Sequence, residues 1–189
     1  MSYRDWAAWA AAGVAAVAAP TQIVVAAEYL SVEQAQKSLF PAADRFDEVV
    51  LALNPTQKQE VASRAGPQPP HRSLRSWKAY QGDTLLGHVF VDEVVGRQDF
   101  ITYAAGIDTA GRLGPLEVLA YRESHGGEVR NEAWRRQFSG RESLDQLRFE
   151  ADIKNIAGAT LSCGHVTEGV RWLVALWEVS LQSGLAPAA

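Results

Sequence analysis

The stretch DIKNIAGATLSCGHVTEGVRW, residues 152–172, decides how this chain is read. Its first half carries a run of small residues, Ala157-Gly158-Ala159-Thr160. Its second half opens a segment in which Val166, Val170, Leu173, Val174, Trp177 and Leu181 recur every three or four residues. That spacing gathers the apolar side chains on one face and predicts a helix from Leu161 to about Gln182, with Gly184 placed to end it. A helix starting near Thr160 or Ser162 points its free backbone N–H groups and positive dipole end back at the small-residue loop. Such an end suits an anion, phosphate above all. Gly158 and the flanking alanines admit a bulky ligand close to the backbone, and Thr160 adds a hydroxyl. The same spacing fits a plain strand-to-helix turn in which Thr160 or Ser162 is the N-cap, so both readings stand at this point.

Upstream, punctuation divides the chain. Ser31-Val32-Glu33-Gln34 has capping-box spacing and opens a short helix that Pro41 stops. Asn54-Pro55 reads as an N-cap with proline at the first helical position, and Gly66 closes that helix. The connector GPQPPHRS follows, too rich in proline for either element. Beyond it, Trp77 to Tyr80, Leu85 to Val95, Phe100 to Asp108 and Leu116 to Tyr121 are rich in β-branched and aromatic residues. Turn signals at Gly82-Asp83, Gly96-Arg97 and Thr109-Ala110-Gly111 separate them, which predicts an antiparallel meander. Two helices followed by strands and a long C-terminal helix give an α+β fold, an antiparallel β-sheet packed with helices.

Composition narrows the classes. At 189 residues, 47% hydrophobic and 21% charged, the chain has ordinary globular statistics. A net charge of -4 gives no support to a nucleic-acid surface. The single Cys163 excludes an intramolecular disulfide, a Cys-rich metal site and a c-type haem attachment. His71 and His88 lack a second ligand at metal spacing, so no metal is assigned. No Gly-x-Ser-x-Gly elbow and no phosphate-binding Gly-x-x-x-x-Gly-Lys-Ser/Thr loop occurs, which removes serine-hydrolase and P-loop readings. At the N-terminus, Arg4, an apolar run from Trp6 to Ala19, a break at Pro20 and small residues to Ala27 have the layout of a secretory signal. The run falls short of the roughly 20 apolar residues of a spanning helix. Residues 1–27 are therefore expected to be a cleaved signal or an N-terminal anchor, and residues 28–189 the domain.

The string IAGATLSCGHVTEGV, residues 156–170, resembles the signature of the FMN-binding domain. That domain occurs in the G subunit of Rnf-type electron-transport complexes, in the C subunit of the sodium-pumping NADH:quinone reductase and in small exported flavoproteins. The family motif reads approximately Asp-x-x-Ser/Thr-Gly-Ala-Thr, and its last threonine carries FMN through a phosphoester bond. Gly158, Ala159 and Thr160 match it. EYLSVEQAQKSLFPAADRF, FITYAAGIDTAGRLGPLEVLAYRESHGGEV and WRRQFSG are similar to other parts of the family, and together they cover most of residues 28–183. Two positions depart: Ala157 stands at the Ser/Thr and Lys154 at the Asp, with Asp152 two residues earlier.

The resemblance implies FMN as cofactor, attached at Thr160, with non-covalent FMN as the alternative that the departures leave open. It implies a site built from Thr160, Ala159, Gly158, Ala157, Leu161 and Ser162, and from the polar loop Glu123, Ser124 and His125 near the flavin ring. Trp134 and Phe138 are read either as walls of the flavin or as caps on the core, with core packing favoured for Phe138, and Cys163 as a small packing residue in the first helical turn. Arg135, Arg136 and Arg141 are read either as phosphate or partner contacts or as an exposed charged segment. The implied function is an exported electron carrier, periplasmic or on the outer face of a bacterial cytoplasmic membrane. A flavin transferase would mature it, and membrane or periplasmic electron-transfer proteins would be its partners. The alternatives are an FMN-dependent reductase of a small substrate and a non-redox sensory or assembly module of the same fold.

Overall fold

Two short helices are set by their first turns. Ser31 Oγ accepts from the Gln34 backbone at 3.2 Å while Gln34 Oε1 accepts from the Ser31 backbone at 2.8 Å, which starts α1, Val32–Leu39. Asn54 and Gln57 repeat this reciprocal pair ahead of α2, Pro55–Ala65, with Pro55 in the first turn. Both helix starts fall where the capping signals placed them. The computed structural model describes residues 27–66, 73–122 and 126–181. Residues 1–26 of the expected signal, most of the proline-rich connector with His71, the loop residues Glu123, Ser124 and His125, and the helix-end residues Gln182 and Gly184 lie outside the described residues.

The sheet has six strands: β1 (Ala27–Glu28), β2 (Arg45–Val49), β3 (Arg75–Gln81), β4 (Thr84–Val95), β5 (Phe100–Asp108) and β6 (Glu117–Tyr121). Their order is β1-β6-β5-β4-β3-β2, and every neighbouring pair is antiparallel. Strands β3 to β6 are the expected meander, with β6 beginning at Glu117 rather than Leu116. Two edge strands escaped the sequence reading. Strand β2 separates the two helices that were expected to be consecutive; its RFDEV run exposes Arg45, Asp47 and Glu48 and has one neighbour, so it carries little of the apolar signal of a central strand. Strand β1 pairs Ala27 with Tyr121 and Glu28 with Ala120, so the boundary expected after Ala27 falls within it.

The long helix α4 runs Thr160–Ser180, starting one residue earlier and ending two earlier than the periodicity suggested. Its Val166, Val170, Leu173, Val174 and Trp177 are buried in one core with Phe90, Val94, Ile101, Tyr103, Ala105 and Ile107 of the sheet, while Leu181 follows the helix half-buried. Trp172 and Leu176 are buried too, because α2 and its Val61 flank α4 on the same side of the sheet. An Arg64–Glu178 ion pair at 3.0 Å joins those two helices. The opposite face, with Trp77, Val89, Val91, Ala104 and Leu119, is covered by α1 through Ala35. Inside the main core, Tyr103 Oη donates to Asp92 Oδ2 at 2.7 Å, and both residues are fully buried. Residue 169 of α4 is glycine where a Cβ would stand 2.4 Å from that tyrosine oxygen, so helix and sheet approach closely at this pair.

Between β6 and α4 the chain makes short turns and α3, Glu132–Arg135. Trp134 and Phe138 anchor this segment, buried and packed edge to face with ring centroids 5.2 Å apart. Phe138 is a core residue, as the sequence suggested.

Candidate functional site

The start of α4 is left open. Its N-cap is Ala159, and no side chain among the described residues caps it. Thr160 is thus the first helical residue and Ser162 lies in the first turn, so neither is the N-cap that the plain-turn reading required. An α-helix start carries backbone N–H groups that have no partner within the helix. Before it, Ala159 N donates to Ile156 O at 3.0 Å in a turn whose exposed Gly158 has φ +89°, with no atom within 4 Å of where a Cβ would stand. Ala157, Gly158, Thr160 and Leu161 are all exposed; Leu161 is 51% exposed, unusual for its size. Small residues, open backbone and one apolar side chain therefore share a surface with the Thr160 hydroxyl.

Among the described residues that hydroxyl has one partner, Asn155, whose Nδ2 donates to Thr160 Oγ1 at 2.9 Å. The other amide atom, Asn155 Oδ1, is shielded from solvent and has no hydrogen-bond partner among the described residues. An orphaned acceptor of this kind costs about 1–3 kcal/mol unless a donor arrives. The adjoining Lys154 is fixed through its backbone: its N–H donates to Gln137 Oε1 at 2.7 Å, and its carbonyl accepts from Trp134 Nε1 at 2.8 Å. Its ammonium donates to the carbonyls of Ala151 and Glu150 at 2.7 and 3.2 Å, within its own turn. Asp152 is likewise spent locally, accepting from the Arg148 backbone at 3.0 Å and from its guanidinium at 2.8 Å. That guanidinium holds the Asp152 carboxyl down at about 2.

The second wall comes from the far end of β6. Ser162 is buried with its Oγ 3.2 Å from Tyr121 Oη. Gly126 lies against both: a Cβ there would stand 2.6 Å from Tyr121 Oη and 2.8 Å from Ser162 Oγ, and its φ of +86° is itself one that glycine favours. Tyr121 and Gly126 bracket the polar loop that contains Glu123, Ser124 and His125, so both ends of that loop are held near the start of α4.

The remaining candidates sit elsewhere. Trp134 is buried with its indole N–H committed to Lys154 O, which makes it a brace for the loop carrying Asn155. Arg135 pairs with Glu117, Arg136 with Glu132, and Arg141 Nε donates to Gln137 O at 3.0 Å. Cys163 is fully buried in the first turn, and burial pushes its thiol up. A cavity of about 490 Å³ lies beside β2 and the Trp172 end of α4, and one of about 200 Å³ beside Tyr29 and Arg130; neither includes Thr160. Sequence reading passed over Asn155, Tyr121 and Gly126. The Gly126-Gly127 pair in a polar loop was the available signal for the last, whereas nothing in the string marks Asn155.

These features fit a flavin mononucleotide. The uncapped helix start and the open Gly158 backbone suit a phosphate, and the orphaned Asn155 Oδ1 suits a donor such as a ribityl hydroxyl or a flavin ring N–H. Residues 96–175 match the family described as FMN-binding domain. This segment of the chain belongs to that family, and it contains the whole Thr160 surface together with β5, β6 and most of α4. The protein is therefore a flavin-binding protein with FMN as its cofactor. No protein of curated function matches the chain.

Proposed function

We propose that this protein is an exported FMN-binding electron carrier whose flavin is held by a phosphoester bond to Thr160 Oγ1. The observation that supports the reading best is the position of Thr160: exposed, first in an uncapped helix, and within the segment that matches the FMN-binding family. FMN supplies one- and two-electron chemistry when bound. The chain's own part is to present the Thr160 hydroxyl, offer backbone donors to the phosphate, leave room at Ala157 and Gly158, and place the Leu161 side chain on the same surface. A covalent link suits a protein outside the cytoplasm, where a lost nucleotide cofactor has no ready replacement. Maturation then requires a flavin transferase. The partners on either side of the electron transfer are membrane or periplasmic redox proteins, and the signal layout of residues 1–27 supports export.

Thr160→Ala, co-produced with a flavin transferase, is expected to lose all flavin that survives denaturation while keeping its fold, since the substitution removes the hydroxyl at an exposed position. Thr160→Ser keeps the hydroxyl and should retain some. In-gel flavin fluorescence of the denatured proteins reads the outcome. Fluorescence persisting in Thr160→Ala refutes the attachment site; a wild type yellow in solution and dark in the gel means that FMN is held without the covalent bond. Export has a separate test, N-terminal sequencing of protein recovered outside the cytoplasm, and an intact Met1 in a soluble cytoplasmic product speaks against it.

A further inference from the structure

We propose that Asn155 is the residue that positions the Thr160 hydroxyl for attachment of the flavin phosphate. The inference rests on the reading of Thr160 as the attachment site. Hydroxyls deeper in α4 are tied up: Thr167 Oγ1 donates to Cys163 O at 2.7 Å and Ser180 Oγ to Leu176 O at 2.6 Å, each one turn back. Thr160 differs. Its oxygen accepts from Asn155 Nδ2 at 2.9 Å, which fixes the oxygen while leaving its own proton and a second lone pair unused by that bond. Asn155 is itself held in place, because the preceding residue, Lys154, is clamped at its N–H by Gln137 and at its carbonyl by Trp134 Nε1. Neither departure from the family motif offers a substitute, since Ala157 has no polar side-chain atom and Lys154 spends its ammonium on Glu150 and Ala151 carbonyls.

The step served is a phosphoryl transfer. Thr160 Oγ1 forms a bond to the phosphorus of the FMN half of a flavin dinucleotide. The pyrophosphate P–O bond breaks, its electron pair leaves with the departing nucleoside monophosphate, and the hydroxyl proton passes to a base of the transferase. No redox change occurs. Asn155 contributes orientation, because an acceptor oxygen misplaced by about 1 Å loses on the order of a hundredfold in rate.

The test follows the initial rate of FMN incorporation into the full chain by intact mass, with purified flavin transferase, a flavin dinucleotide and increasing acceptor protein. Wild type is compared with Asn155→Ala and Asn155→Leu, the second keeping side-chain volume without an amide. Both should lower the maximal rate by about tenfold or more at little-changed KM for the acceptor chain, with thermal unfolding near that of wild type. Wild-type rates in either folded variant overturn the proposal. A raised KM with an unchanged maximal rate also overturns it, because it makes Asn155 a docking residue for the transferase. A wild type that takes up no FMN refutes the Thr160 reading itself, whereas a loaded wild type matched by its Asn155 variants refutes only the role of Asn155.

Discussion

Thr160 and Asn155 lie five positions apart, and their different legibility follows from what each depends on. Thr160 is marked by the small-residue run before it and the apolar period after it, both local patterns. The Asn155 contact depends on the residue before it, Lys154, being held by Trp134 and Gln137, about 20 residues away, so no spacing rule announces it. Gly126 is a third case: a glycine signals a turn, but its need for a bare Cα arises from Tyr121 and Ser162, which come from different elements. Gly126→Ala must relieve contacts of 2.6 and 2.8 Å at a φ of +86°. We expect it to destabilise the fold by about 1–3 kcal/mol, the usual range for overpacking or for a strained backbone position. Denaturant unfolding measures this, and a variant as stable as wild type would mean that the loop ends are not held against α4.

Among the elements, α4 was legible because it is long, periodic and packed on the sheet, whereas β2 was not because a short edge strand with one neighbour keeps polar side chains on most of its length. The start of α4 could be placed only within a residue or two from sequence, since Thr160 and Ser162 are both good caps and the structure uses neither. The helix is also buried more widely than its six periodic residues implied, because α2 covers a second stripe through Val61. Leu173 sits where both helix and sheet pack and is fully buried. Leu173→Ala is expected to cost about 2–5 kcal/mol, the range for a large core side chain cut to alanine. Glu168→Ala, on the exposed side of the same helix, should stay within about 0.5 kcal/mol. Equal midpoint shifts in urea would contradict the assigned face.

At the scale of the whole molecule, the sheet is sandwiched between α4 with α2 on one face and α1 on the other, and the Thr160 surface lies at one end of the α4 layer. The core that supports it contains a titratable group away from Thr160. His88 of β4 is 2% exposed; its Nδ1 accepts from Trp177 Nε1 at 3.3 Å, and its Nε2 has no partner among the described residues. Burial first, and the Lys78 charge second, push its pKa from 6.5 down to about 4. Between those two values the unfolded chain binds a proton that the native state refuses, so stability falls as pH drops through this window. The loss begins near pH 6.5 and is complete somewhat below pH 4. It reaches about 3 kcal/mol from this residue, since each tenfold drop in proton affinity on folding is worth about 1.4 kcal/mol. His88→Leu removes the titration and leaves the Trp177 N–H without an acceptor, so that variant should be less stable at pH 7 yet flatter toward pH 4. Unfolding free energies at pH 7, 5.5 and 4 for both proteins test the point, because parallel pH slopes would show that acid sensitivity arises elsewhere in the fold.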